Sequence, residues 1–194
     1  MKKGFMILLI VLAASSLFAQ ARTLFSGRMH HGGYGGPVWQ VGSVNGNAAV
    51  LSGGRGGWII NHTIALGGGG YSLFSDVESD LMSEAGKKLY IDMEYGGFEV
   101  EYIHRSDDLV HWTIHSLFGG GDMSLKEHEP NNEINNDKFF VVQPSFNVDL
   151  NVNTWFRVGG CVSYRAIFGL DIDGIEDSDL SGPSAGIILK FGSF

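Results

Sequence analysis

Hydrophobic and polar residues alternate one by one over long stretches of this 194-residue chain. The clearest run is Phe140, Val142, Pro144, Phe146, Val148, Leu150 and Val152, with Gln143, Ser145, Asn147, Asp149 and Asn151 between them. Period two marks a strand whose two faces meet different surroundings. The next stretch repeats it: Phe156, Val158, Val162, Tyr164, Ala166 and Phe168 on one face, Arg157, Cys161, Ser163 and Arg165 on the other. A turn at Asn153-Thr154 joins the two as a hairpin. Earlier, Leu89, Ile91, Met93 and Tyr95 share a face opposite Asp92 and Glu94. Beyond Gly96-Gly97 the apolar phase moves to Phe98, Val100 and Tyr102, over Glu99 and Glu101, which predicts a bulge at the glycine pair. Val110, Trp112 and Ile114 alternate with His111, Thr113 and His115, and Asn45-Gly46 is a hairpin signal. No segment has a convincing helical period.

The pattern predicts eight strands, at 33–44, 47–60, 63–75, 88–104, 110–125, 138–152, 155–168 and 182–194. From the second connection on, short links alternate with long ones (76–87, 126–137, 169–181). Every long loop then falls on the rim opposite both chain ends, as in an up-and-down barrel with short turns on one side and external loops on the other. The long loops carry Asp76, Glu78, Asp80 and Glu84, then Asp171, Asp173, Glu176, Asp177 and Asp179, and read as exposed acidic loops.

Composition narrows the picture. Twenty-nine glycines, interleaved with aromatics, suit tightly curved sheet, and one cysteine excludes an internal disulfide. Lys2-Lys3, the apolar run 5–14 and Ala19-Gln20-Ala21 have the order of a secretory signal peptide, with cleavage expected after Ala19 or Ala21. The chain is therefore expected to divide into a signal peptide, 1–21, and one barrel domain, 22–194. No further stretch is apolar for long enough to span a bilayer as a helix, so any spanning falls to strands. A net charge of −8 argues against nucleic acid as a partner.

Alternation alone does not say which face is inside. The polar faces carry ions (Arg157, Arg165, Asp149, Glu99, Glu101), the strands run to about 13 residues against a usual five or six, and Trp and Tyr are available for interfacial girdles. We therefore expect inverted polarity: Phe146, Val148, Phe156 and Tyr164 toward acyl chains, charges toward the axis. The fold class expected is all-β, a single antiparallel transmembrane barrel.

The motifs Gly33-Tyr34-Gly35-Gly36-Pro37, Gly53-Gly54-Arg55-Gly56-Gly57-Trp58-Ile59-Ile60-Asn61-His62 and Gly67-Gly68-Gly69-Gly70-Tyr71 resemble those of outer-membrane β-barrel proteins of Bacteroidetes-type bacteria. Trp155-Phe156-Arg157-Val158, Ser163-Tyr164-Arg165 and the tail from Asp179 to Phe194 do so too. The resemblance implies a Gram-negative outer-membrane barrel and brings no activity with it. Phe194 also resembles the terminal aromatic read by barrel-assembly machinery. The apolar face of the last strand, Ala185, Ile187, Leu189 and Phe191, is out of phase with it. Either a bulge occurs at Gly192 or Phe194 lies beyond the strand.

The candidate site is a lumenal charge network of Arg55, Glu99, Glu101, Asp149, Arg157 and Arg165. Its near balance of sign points to a plugged interior, because buried ions are costly unless paired. His30, His31, His104, His111 and His115 lack the spacing of a structural zinc site. Asp171 to Asp177 departs from a calcium loop in the place of its glycine, and Gly67 to Gly70 has no phosphate-loop lysine or helix after it. No cofactor or metal is therefore expected. The expected role is structural or surface interaction without catalysis. The expected partners are outer-membrane lipid and, during biogenesis, the assembly machinery. The alternatives are a soluble periplasmic barrel holding a small apolar ligand and a lipid-modifying Ser/His/acid enzyme, for which no nucleophile motif is present.

Overall fold

The computed structural model describes residues 29–83, 86–127, 132–172 and 174–194, with the backbone alone for 132–135. The expected signal peptide lies outside the described residues, as do Glu84 and Asp173. The strands are β1 (His31–Val44), β2 (Asn47–Ile60), β3 (Ile64–Leu73), β4 (Val77–Met82), β5 (Lys88–His104), β6 (Val110–Glu127), β7 (Asn132–Asn151), β8 (Phe156–Phe168) and β9 (Gly182–Ser193). A single helical turn, α1 (Asp177–Leu180), precedes β9.

All pairings are antiparallel, in the order β3-β2-β1-β9-β8-β7-β6-β5-β4, and β3 also pairs with β5. That last pairing closes a ring of eight strands and leaves β4 as an extra strand on the upper half of β5. A closed ring removes the open edges that a lipid environment does not tolerate. Asn45 and Gly46, both at positive φ, make the tight β1–β2 turn that the Asn-Gly pair favours.

The start of β1, the end of β9 and the β2–β3, β5–β6 and β7–β8 turns share one rim, the terminal rim. The tight β1–β2 turn and the links 74–87 and 169–181 share the other, the loop rim. The expected long loop at 126–137 is largely strand instead: β6 and β7 stay paired as far as Glu127↔Asn132, one irregularity at Leu125/Lys126 apart. Backbone ladder bonds can continue in water, so the hairpin outruns the apolar belt. The expected bulge at Gly96-Gly97 is absent. Register runs unbroken from Tyr95↔Gly121 to Phe98↔Phe118. The phase of β5 never changes; the chemistry of the interior does. Leu89, Ile91, Met93 and Tyr95 point inward near the loop rim, and Glu99 and Glu101 point inward further down.

The outer wall is apolar. Val162 is 58% exposed and Tyr164 51%, whereas Asp149 and Arg165, on the other face of the same hairpin, are 0% exposed. Phe146, Val148, Ile114, Ile187 and Phe191 are likewise exposed. Near the terminal rim, aromatic side chains stack in outward groups: Tyr102, His104, Trp112 and Phe146, and Trp155, Phe156 and Phe191. No described helix is long and apolar enough to cross a membrane.

Inside, three layers are stacked. A small apolar floor of Tyr34, Ile59, Ala65 and Ile103, with Phe194 packed against it, lies at the terminal rim. Polar and charged side chains fill the next layer. Above them an apolar core (Val38, Leu51, Tyr71, Met93, Leu117, Val141 and others) continues into the loops through Val77, Ile172, Ile175 and Leu180. The loop rim is thus sealed by its own loops. The link 169–181, expected as an exposed acidic loop, turns its apolar residues into this seal and keeps Asp171, Glu176 and Ser178 outside or at the edge.

Candidate functional site

The alternation of β2, β5, β6, β7 and β9 brings Arg55, Glu99, Glu101, His115, Asp149 and Lys190 together inside the barrel. Glu101 sits at the centre, 1% exposed. Its Oε1 accepts from Thr113 Oγ1 at 2.6 Å and from Lys190 Nζ at 2.7 Å. Its Oε2 accepts from the Tyr34 hydroxyl at 2.6 Å and faces Arg55 Nη2 at 3.0 Å. Lys190 Nζ also donates to Asp149 Oδ2 at 2.7 Å, and Arg55 Nε lies 3.9 Å from Glu99 Oε2. Room for these carboxylates comes from glycine: a Cβ on Gly69 would stand 2.3 Å from Glu99 Oε1, and one on Gly159 2.3 Å from Asp149 Oδ1.

Of the residues expected in the network, Arg55, Glu99, Glu101 and Asp149 meet here. Arg157 lies at its lower edge, bonded to Ser106 and 3.4 Å from His111 Nε2, with the Phe194 ring 3.9 Å from its guanidinium carbon. Arg165 stands apart. Its Nε donates to the Leu180 carbonyl at 2.8 Å and its Nη2 to the Ser43 carbonyl at 2.9 Å, which ties α1 and the end of β1 to the wall. Lys190 is the residue that sequence reasoning missed. Its place between Leu189 and Phe191 in the alternation is the signal that marks it as inward. With Lys190 counted, Arg55, Arg157 and Lys190 balance Glu99, Glu101 and Asp149.

His115 bridges Glu99 and Ser145: Nε2 is 3.3 Å from Glu99 Oε2 and Nδ1 2.9 Å from Ser145 Oγ. These are the elements of a Ser/His/acid relay. The Ser145 hydroxyl faces the packed lumen and also donates to Asn147 Oδ1 at 3.2 Å, and the depression beside Ser145 is on the wall between Phe146, Val162 and Tyr164. His104 lies on the outer face, stacked on Trp112 at 4.5 Å, so the three histidines do not converge. Among the described residues, no group of three or more His, Cys, Asp or Glu is placed to hold a metal ion. In the link 169–181 the carboxylates serve the backbone: Asp177 accepts from the N–H groups of Gly169 and Leu170, and Asp179 from that of Glu176.

At the terminal rim β9 ends at Ser193 without a bulge at Gly192. Phe194 lies just beyond the strand, in the inward phase, its ring centroid 6.4 Å from that of Tyr34.

No protein-family model matches the chain, and no curated protein matches it in sequence. Solved structures do match. The chain is similar to Neisserial surface protein A, with a TM-score of 0.55 at 8% identity over 86% of this chain and 99% of that one. It is similar to Ail, the attachment invasion locus protein of Yersinia pestis, in its complex with the heparin analogue sucrose octasulfate, with a TM-score of 0.50 at 10% identity over 86% and 99% of the two chains. The outer membrane protein OprG of Pseudomonas aeruginosa aligns with a TM-score of 0.46 at 9% identity, over 84% and 94%. At such identities the likeness to the first two is one of fold alone: the chain is a closed, eight-stranded antiparallel β-barrel with one additional strand.

Proposed function

We propose that this chain is a small outer-membrane β-barrel with a sealed lumen and no reaction of its own, which meets other molecules through its loop rim. The observation that carries the reading is the inverted polarity of the wall. Exposed Val, Ile, Phe and Tyr face outward on β6 to β9, and a charge-balanced set of buried ions fills the middle layer of the interior. Water does not drive such an arrangement; lipid does, because acyl chains accept the apolar face and a closed ladder leaves no backbone group unpaired. The resemblance of the glycine motifs to those of Bacteroidetes-type barrels fits the same reading.

The apolar layer above the ions counts against a pore. A soluble barrel holding an apolar ligand is disfavoured by the exposed apolar belt. A lipid-modifying role for Ser145, His115 and Glu99 is disfavoured by the inward-facing hydroxyl. Biogenesis through the assembly machinery follows from outer-membrane residence.

Cell fractionation tests location: the protein is expected in the outer-membrane pellet, with a folded band that shifts on heating in gel electrophoresis. Recovery in the soluble periplasmic fraction overturns the proposal. Reconstitution in a planar bilayer tests the seal, with no stepwise conductance expected. Steady ohmic steps from purified barrel refute a closed lumen.

A further inference from the structure

A pair of histidines meets at the terminal rim, outside the ion network. His30 stands just before β1, and His62 lies in the β2–β3 turn. Far apart in the chain, they come together with imidazole centroids 5.6 Å apart and rings tilted by 40°. His30 is exposed and His62 is half-buried, so the pair is reached from solvent.

Backbone bonds hold the two segments in place. The Asn61 N–H donates to the His30 carbonyl at 2.9 Å, and the His30 N–H donates to Asn61 Oδ1 at 2.9 Å. The turn is closed by the Thr63 N–H, which donates to the Ile60 carbonyl at 3.1 Å. It is tied to β5 by the Ile103 N–H, which donates to the Thr63 carbonyl at 2.7 Å. Asn61 and His62 both lie at positive φ, 50° and 54°. In the β1–β2 turn the same second place is held by Gly46, at φ 70°. Glycine adopts that conformation more readily than a residue with a Cβ. An imidazole at this place therefore runs against local backbone preference, a mark of positions kept for function.

The neighbouring His31 is engaged elsewhere, stacked on Trp58 with centroids 5.3 Å apart. His62 Nδ1 is enclosed, so coordination from His62 falls to Nε2. An ion bound tetrahedrally by two imidazole nitrogens at about 2.0–2.1 Å sets the ring centroids roughly 5.2 Å apart. The observed 5.6 Å is close to that value, and a small turn of the exposed His30 ring closes the difference. Neutral imidazole is a ligand for zinc, copper and nickel ions, whereas calcium and magnesium take oxygen ligands. Among the described residues no third His, Cys, Asp or Glu joins the pair, so water completes the shell. Two protein ligands let an ion exchange where the four of a structural site hold it. We propose that His30 and His62 form an exchangeable site for a divalent transition-metal ion at the terminal rim.

The test is titration of the full chain, free of any polyhistidine tag and refolded in detergent micelles, with Zn²⁺, followed by calorimetry. One ion per chain is expected to bind, with Cu²⁺ binding more tightly and Ca²⁺ failing to compete at equal concentration. His30→Ala and His62→Gly are each expected to weaken Zn²⁺ binding about tenfold or more. Glycine suits the backbone at position 62, so His62→Gly keeps the heat-modifiable folded band and isolates the loss of the imidazole. His31→Ala, which removes the adjacent ring, is expected to bind within about twofold of the parent. No Zn²⁺ binding, undiminished binding by His30→Ala or His62→Gly, a loss in His31→Ala equal to theirs, or competition by Ca²⁺ overturns the proposal.

Discussion

Glu101→Gln is the most informative single change in the lumen. The two shapes are nearly identical, but every group around Glu101 is a donor or a cation: Thr113 and Lys190 donate to one oxygen, Tyr34 donates to the other, and the Arg55 guanidinium faces that second oxygen as an ion pair. A glutamine amide turned either way places its NH₂ against two donors, and Lys190 and Arg55 lose the charge between them. At an effective dielectric of about 20, unit charges at the 2.7 Å Lys190–Glu101 separation attract by roughly 6 kcal/mol, against roughly 1.5 kcal/mol in water. Much of the larger figure offsets desolvation. The expected net loss is about 3–5 kcal/mol, as for other buried pairs deprived of one partner. Lys190→Met in the Glu101→Gln background restores the balance of charge, so the double variant is expected to be more stable than the sum of the single losses predicts. The assay is guanidinium unfolding of refolded barrel in micelles, followed by fluorescence of the four tryptophans. A Glu101→Gln loss under about 1 kcal/mol, with Lys190→Met strictly additive, refutes the argument and means that the lumen screens charge as well as bulk water does.

Three further outcomes are expected. Val162→Arg, at the middle of β8 on the lipid face, is expected to destabilise the barrel by about 2–4 kcal/mol in the same assay. A neutral result there removes the acyl-chain environment. Gly69→Ala is expected to destabilise the barrel by about 1–3 kcal/mol, since its Cβ would stand 2.3 Å from Glu99 Oε1 and 3.0 Å from Arg55 Cβ and push Glu99 out of its place, whereas Gly160→Ala meets nothing within 4 Å and is expected within about 0.5 kcal/mol of the parent. Asp177→Ala deprives the Gly169 and Leu170 N–H groups of their acceptor, a local loss of about 1 kcal/mol or more. Limited proteolysis is then expected to cut 169–181 faster while the barrel stays intact.

Strand identity and face are legible in this chain because one rule, period two, governs nearly all of it. β5 spans the 88–104 that its alternation marks, and β2 spans the 47–60 set by the turn signals on either side of a glycine-rich run. The misreading at Gly96-Gly97 has a physical source. Alternation reports which residues share a face, and the inference that a face has one chemistry fails where the interior changes from ionic to apolar along its height. Arg165 illustrates the same limit. It shares a face with Arg157 but stands eight positions further along β8, about 26 Å away at ~3.3 Å per residue, where the core is apolar and backbone carbonyls are its partners. β4 and α1 are too short to show a period, and they form because Val77, Leu81, Ile172, Ile175 and Leu180 find a shared core at the loop rim. That is a tertiary cause, which local pattern does not carry.

The position of Phe194 imposes an order of events. In the finished barrel its ring lies between Tyr34 and the Arg157 guanidinium, joining the first strand, the eighth and the chain terminus. Tyr34 takes its place only after β1 has zipped onto β9. A receptor that gripped this aromatic would have to hold it while the seam is still open, and completion of the seam would withdraw the handle. Closure of the barrel would then be, by the same movement, its release.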